Sequence, residues 1–166
     1  SWVPDGVMRH EDSVGGRLLI DAGHLMVLNA AQSIWHSEET LPTDPTLDML
    51  QIFVRPYEVD LEPNIQHGPI ATSPPNAWRH LFGPEGSNAP FFVRNDVDFF
   101  DIRLDAGARL DFPALPARDL YFYVFSGAIK AGGRPFTEAE QGLLRGGGFR
   151  HAARGGRQSS SCLRCF

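Results

Sequence analysis

The sequence predicts an all-β protein made of two small barrels. Thirteen prolines and seventeen glycines interrupt short apolar segments, a pattern that favours many strands and turns over long helices. The turn signals are Val14-Gly15-Gly16, Asp21-Ala22-Gly23, Asp105-Ala106-Gly107 and Ala131-Gly132-Gly133. Each half of the chain follows the same plan of strand, Asp-Ala-Gly turn and strand. This weak internal repeat predicts a duplicated small barrel.

The candidate strands are apolar runs bounded by these turns. They are Arg17–Ile20, Leu25–Leu28, Ser33–His36, Met49–Arg55, Phe91–Arg94, Phe99–Leu104, Leu120–Phe125 and Gln141–Leu144. Alternation along the strands of the first half predicts that six apolar residues pack as barrel walls, namely Met26, Leu28, Trp35, Ile52, Phe53 and Val54. A segment rich in Pro, Asn, Gly and His divides the two halves. We therefore expect a first barrel over 1–60, an irregular connection over 61–88, a second barrel without a metal site over 89–157 and a disordered tail over 158–166.

Composition excludes some classes of function. The formal net charge of −5 over 166 residues argues against a nucleic-acid-binding surface, which needs clustered Lys and Arg. No apolar run approaches the ~18 residues of a membrane helix, and no signal peptide is visible, so we expect a cytoplasmic protein, or also a nuclear one in a eukaryote. The pair Cys162 and Cys165 fits a redox pair, half of a zinc site or neither.

The segment Ser33–Glu38 carries the strongest chemical signal in the chain. In a strand, residues two apart point to the same face, roughly 7 Å apart along the backbone. His36 and Glu38 can therefore converge on one metal ion, because imidazole and carboxylate together suit iron, zinc or manganese. The alternative is a half-exposed strand with polar residues on its solvent face.

Three blocks of sequence resemble the pirin family. Residues 6–13, which read G-V-M-R-H-E-D-S, resemble the family's G-x-x-x-H-R-D-S-x-G segment. The stretch from Asp21-Ala22-Gly23 to His36-Ser37-Glu38 resembles its P-G-x-x-Q-x-M-x-A-G-x-G-I-x-H-S-E, and residues 50–56 resemble L-Q-L-W-V-x-x-P. The order and spacing of the blocks agree from Gly6 to Pro56, whereas the second half of the chain fits more loosely.

The resemblance implies a bicupin, with two jelly-roll barrels and one divalent metal, usually iron, in the N-terminal barrel. In that family three histidines and one glutamate hold the metal. His36 and Glu38 align with the later two ligands, and the earlier pair, an H-x-H, would lie upstream of Ser1. The chain starts without a methionine, so we expect a natural protein longer at its N-terminus and a first barrel that is incomplete here.

The resemblance also implies a function. Some bacterial relatives open the flavonol quercetin with O₂, so the sequence predicts a quercetin 2,3-dioxygenase-like enzyme with a flavonol-like aromatic substrate. Glu38 would be both a ligand and the base that accepts the substrate's hydroxyl proton. The alternatives are an iron-binding regulatory protein that contacts a protein partner, as animal pirins do, and a degenerate fragment without activity.

The remaining candidates are weaker. Gln51 begins a strand that faces the barrel interior, where its amide would orient a metal-bound water or substrate. His10 is not a ligand in the family, and we expect it to line the pocket mouth or support the turn. His24 follows a turn and is expected at the surface. The other three histidines, which are His67, His80 and His151, fall in segments that read as irregular.

Overall fold

The structure, a computed structural model, describes residues 1–30, 33–113, 115, 117–145, 152–155 and 161–165. Every regular element in these ranges is a β-strand. The all-β prediction is therefore confirmed. His151 lies outside the described residues.

The chain divides into two compact units. The first comprises Ser1–Thr72 and Leu81–Val97, and the second comprises Ser73–His80 and Asp98–Phe166. The first unit therefore takes in residues 61–72 and 81–97, all of which fall beyond the boundary at residue 60 that the sequence indicates.

The first unit contains two sheets. One has the strand order β6-β1-β4-β7 and the other the order β3-β2-β5. Strands β8 and β9 pair in parallel, with Phe82 opposite Phe91. The strands are β1 (Trp2–Asp5), β2 (Met8–Asp12), β3 (Arg17–Ile20), β4 (His24–Asn29), β5 (His36–Glu39), β6 (Asp48–Leu50), β7 (Asn64–Pro69), β8 (Arg79–Pro84) and β9 (Phe91–Val93). Of β8, only Leu81–Pro84 belong to this unit.

The second unit also contains two groups of paired strands. Their orders are β15-β12-β17-β10 and β11-β16-β13-β14. The strands are β10 (Phe99–Leu104), β11 (Arg109–Asp111), β12 (Leu120–Ser126), β13 (Ala128–Ala131), β14 (Arg134–Thr137), β15 (Gln141–Leu144), β16 (Ala152–Gly155) and β17 (Ser161–Cys165).

Each unit has its own apolar core, built from side chains that alternate along the strands. In the first unit the buried cluster is Val3, Met8, Ile20 and Met26. In the second unit it is Ile102, Leu104, Phe112, Phe122, Val124, Ile129 and Ala131. Because β2 contributes Met8 to the first core, the face of β2 that also carries residues 10 and 12 is turned inward.

The segment 61–88, which the sequence suggests is irregular, contains strands. Strand β7 pairs along its length with β4, from His24 opposite Pro69 to Asn29 opposite Asn64. Its polar Gln66 exchanges two hydrogen bonds with the backbone of Phe92, at 2.8 and 2.9 Å. This corrects the expectation for 61–88, because polar side chains are compatible with a strand when a neighbouring backbone satisfies them.

The expectation of a disordered tail over 158–166 does not hold for residues 161–165, which form strand β17. Strand β17 pairs with β10 on one side and with β12 on the other. These partners lie far away in the sequence, so the local composition of the tail did not reveal the pairing.

The strand that carries the candidate ligands begins later than the sequence suggests. Both backbone polar groups of Trp35 are hydrogen-bonded to Ser13. The Ser13 N–H donates to the Trp35 carbonyl at 2.8 Å, and the Trp35 N–H donates to Oγ of Ser13 at 3.1 Å. Strand β5 therefore starts at His36. Trp35 is 82% exposed and Phe53 is 87% exposed, so neither is the buried barrel-wall residue that alternation predicts.

Gly6, between β1 and β2, should tolerate no side chain. Its φ is +85°, and a Cβ there would lie 2.6 Å from the Thr46 carbonyl oxygen. Gly15 has a φ of +94° but open space around it. We expect Gly6→Ala to lower the unfolding free energy by about 2–4 kcal/mol, because overpacking adds to left-handed strain. The matched control, Gly15→Ala, should cost about 1–2 kcal/mol. Urea unfolding followed by tryptophan fluorescence measures both, and equal losses would contradict the predicted clash.

Candidate metal centre

The candidate site lies on the inward face of the sheet β3-β2-β5. Strand β2 is central, and it pairs with β5 so that His10 lies opposite Glu38 and Asp12 lies opposite His36. Directly opposed residues of an antiparallel pair point to the same side of the sheet. The four side chains therefore share one face, and the predicted pairing of His36 with Glu38 on a common face holds in the structure.

Asp12 organises the turn that joins β2 to β3. Its Oδ1 accepts hydrogen bonds from the backbone N–H groups of Val14 and Gly16, both at 2.9 Å. Its Oδ2 lies 3.0 Å from Nε2 of His10. The side chains of Asp12 and His10 are both fully shielded from solvent. Because a carboxylate can only accept, the contact places the His10 proton on Nε2.

The pKa of Asp12 lies below its ordinary value. Burial alone would raise this pKa, but hydrogen bonds from Gly16, His10 and Val14 together outweigh the effect of burial. The carboxylate is therefore the stable form of Asp12 at neutral pH, and it holds the turn and the imidazole as an anion.

His10 packs against the imidazole ring of the predicted ligand His36. The two imidazole rings are stacked, with centroids 5.4 Å apart and planes 28° apart. With Nε2 tied to Asp12, the Nδ1 atom of His10 is buried and makes no hydrogen bond to any residue that the structure describes. A buried polar atom of this kind costs free energy unless a water molecule or a bound group pairs with it.

Glu38 is held by polar neighbours on both carboxylate oxygens. Gln51 donates from Nε2 to Oε2 at 3.0 Å, and the Ser1 hydroxyl donates to Oε1 at 3.4 Å. Glu38 is half-buried, whereas His36 is exposed. The pair therefore combines one oriented carboxylate with one imidazole that is open to an incoming ion.

The donor set fits a transition metal in part. Imidazole and carboxylate are ligands that iron, nickel, zinc and manganese accept. The orientation of Glu38 by Gln51 is the outer contact that metal-binding carboxylates usually have. Within the described ranges, however, no group of three or more His, Cys, Asp or Glu side chains is placed to hold one ion. The described residues thus offer two potential ligands, fewer than the three or four protein ligands of a typical zinc site.

The structure also places the weaker candidates. Gln51 lies just after the end of β6 and donates from its amide to Glu38, and His10 packs against the ring of His36. Whether Gln51 orients a metal-bound water or substrate stays a prediction. His24 and His67 lie on the neighbouring strands β4 and β7. His80 is the second residue of β8, and its Nε2 lies 2.8 Å from an oxygen of Asp98.

Sequence reasoning missed two residues of the site, Asp12 and Ser1. The signal for Asp12 was present, because Asp-Ser-Val-Gly-Gly after a strand is a typical side-chain-capped turn. Nothing in the sequence around Ser1 predicts its contact with Glu38.

The described residues contain no helix long and apolar enough to span a bilayer.

Comparison with known proteins relates the first part of the chain to a family. Residues 1–54 match the family model described as Pirin. A Pasteurella multocida protein named "Putative quercetin 2,3-dioxygenase" is 20% identical over 132 residues, which cover 78% of this chain and 56% of that protein. A Pseudomonas aeruginosa protein of the same name is 27% identical over 149 residues, covering 86% and 62%. The chain thus spans about six-tenths of the length of these relatives.

Solved structures agree on the fold. The Escherichia coli protein YhhW superposes with a TM-score of 0.84 at 19% identity, over 99% of this chain and 68% of that one. The structure described as bacterial pirin YhhW in complex with nickel(II) superposes with a TM-score of 0.81 at 20% identity, over 99% and 69%. These likenesses confirm the predicted pirin-like cupin fold.

The depressed pKa of Asp12 predicts a pH dependence of stability. Below the ordinary pKa of about 3.9, the unfolded carboxyl binds a proton more readily than the folded one. The stabilisation from Asp12 is therefore complete above that value and is lost as the pH falls through the lower folded pKa. Asp12→Asn should lower the unfolding free energy at pH 7 by about 1–3 kcal/mol. It should also make the unfolding free energy fall less steeply as the pH is lowered through the acid range.

Urea unfolding at a series of pH values from neutral to acid measures both effects. The matched control is Asp48→Asn, a change to an exposed aspartate of β6, which should retain the wild-type curve. If the unfolding free energy falls with decreasing pH as steeply in Asp12→Asn as in the wild type, the anchoring role of Asp12 is contradicted.

Proposed function

We propose that this pirin-like cupin protein is a metal-dependent dioxygenase that opens a flavonol-like substrate with O₂. The observation that carries the proposal is the placement of His36 and Glu38 on one face of β5, over the buried His10. Two further observations support it: residues 1–54 match the Pirin model, and the relatives carry the name quercetin 2,3-dioxygenase.

In this proposal His36 and Glu38 are two ligands of one divalent metal. The resemblance to pirins implies two further ligands, both of them histidines. Imidazole and carboxylate admit iron as well as nickel, and we assign iron. When bound, the metal would supply Lewis-acid and redox chemistry for the reaction between O₂ and the aromatic ring.

The protein's own residues orient the site and move a proton. Stacking on His10 restricts rotation of the His36 ring, and Asp12 fixes His10 in turn. On Glu38, Oε2 is engaged by Gln51 at 3.0 Å, whereas the contact of Oε1 with Ser1 is longer, at 3.4 Å. Oε1 is therefore the oxygen that is freer to accept a further hydrogen bond. We propose that Oε1 accepts the proton of the substrate's hydroxyl group.

The test uses the chain together with any sequence that its gene encodes ahead of Ser1. After anaerobic loading with Fe²⁺, we expect about one iron per chain and O₂ uptake when quercetin is added. Glu38→Gln should lower the rate of uptake by about 100-fold or more, since it removes the proton acceptor. The matched control is Glu39→Gln, which changes the adjacent exposed carboxylate on the other face of β5 and should retain the wild-type rate.

Metal content and oxygen uptake separate the alternatives. Stoichiometric metal without O₂ uptake would contradict the enzyme and favour the metal-binding regulatory protein. Equal rates in Glu38→Gln and Glu39→Gln would contradict the role of Glu38. A chain that takes up no metal after loading would overturn the assignment of the centre.

A further inference from the structure

A second pair of histidines lies on the other sheet of the first unit. In the β4–β7 ladder His67 is opposite Met26, two positions from His24 on the same face. The two imidazole rings are nearly parallel, with centroids 5.3 Å apart and planes 15° apart. Neither residue belongs to the strands β2 and β5 that carry the candidate centre described above.

Among the residues that the structure describes, each of these imidazoles has a hydrogen-bond partner on one nitrogen and none on the other. Nδ1 of His24 lies 2.7 Å from Oδ1 of Asp21, and Nε2 of His67 lies 3.2 Å from the carbonyl oxygen of Leu19. Carboxylate and carbonyl oxygens only accept, so each engaged nitrogen carries the proton. The lone pairs are left on Nε2 of His24 and Nδ1 of His67. Histidines that bind metals typically have this arrangement, with the other ring N–H donated to a carboxylate or a carbonyl.

The electrostatics of the cluster favour a cation. Oδ1 of Asp21 accepts hydrogen bonds from the His24 ring at 2.7 Å and from the Gly23 N–H at 2.8 Å, and both bonds favour the charged carboxylate. The side chains of His24 and Asp21 are 36% and 42% exposed, so an ion can reach the pair from solvent.

We propose that His24 Nε2 and His67 Nδ1 form a two-imidazole site for a divalent transition metal such as Cu²⁺, Ni²⁺ or Zn²⁺. An imidazole nitrogen lies about 2.0–2.1 Å from a bound zinc ion, so the centroids of two rings on one ion lie within roughly 6.5 Å of each other. The observed 5.3 Å is within that limit. Asp21 and the Leu19 carbonyl orient the rings, Asp21 also offsets the ion's charge, and water fills the other positions. With two protein ligands the ion exchanges readily with solvent.

The first experiment needs no substitution. The metal-free, ¹⁵N-labelled protein is titrated with Zn²⁺ while the imidazole nitrogens are observed by NMR. We expect His24 protonated on Nδ1 and His67 protonated on Nε2 before zinc is added, and we expect their other nitrogens to shift on binding. The nitrogens of His80 should stay unchanged. A titration that leaves the His24 and His67 signals unmoved would overturn the proposal.

The second experiment measures the affinity for Cu²⁺ by competition with a chelator. Removing one ligand, in His24→Gln or His67→Gln, should weaken binding by about tenfold or more, and Asp21→Asn should weaken it by about tenfold. The matched control is His80→Gln, which should leave this affinity unchanged. His36→Gln, which removes a ligand of the centre proposed on β5, measures how much of the bound Cu²⁺ belongs to that centre. Loss of binding in His36→Gln but not in His67→Gln would place the ion at β5 and overturn the proposal.

Metal preference gives an independent readout that does not depend on activity. A site of two imidazoles should bind Cu²⁺ more tightly than Ni²⁺ and should not respond to Mg²⁺, which prefers oxygen ligands. An equal response to Mg²⁺ would indicate that carboxylates bind the ion and would contradict the assignment to the two imidazoles.

Discussion

The buried carboxylate of Asp12 is the constraint on which the rest of the candidate centre depends. One of its oxygens closes the turn between β2 and β3, and the other fixes the protonated nitrogen of His10. His10 in turn lies against the ring of His36. A single anion at the end of a central strand thus determines the path of the chain and the orientation of a predicted ligand. Buried polar networks of this kind are effective only when each member is paired, which makes the unpaired Nδ1 of His10 notable.

The two predicted ligands are positioned by different means. Packing on a buried imidazole positions His36, whereas hydrogen bonds from Gln51 and Ser1 position Glu38. Both ligands belong to one short strand, so a shift of β5 against β2 would displace them together. Because a shift of one residue turns every side chain to the opposite face of the sheet, the register between His10 and Glu38 is as important for the centre as the identity of the ligands.

Sequence reasoning succeeded where the signal is local. The strands Arg17–Ile20, Phe99–Leu104 and Gln141–Leu144 have the predicted bounds. Turns that contain glycine mark both ends of the first strand and the C-terminal end of the second. Strands β7 and β17 were missed, since their partners lie far away along the chain and their own composition is polar. Alternation alone also failed for Trp35, whose backbone is bound by the turn at Ser13. The pairing of His36 with Glu38 followed from the period of a strand, whereas the supports from Asp12 and Ser1 required the fold.

The central claim is that His36 and Glu38 bind one metal ion on the inward face of β5. Crystals grown with nickel and measured above and below the nickel absorption edge test this claim most directly, since anomalous scattering locates the metal without reference to the protein. The account predicts an anomalous peak about 2.0–2.2 Å from a ring nitrogen of His36 and from a carboxylate oxygen of Glu38. A strong peak elsewhere, with these two side chains bound to other protein groups, would contradict it.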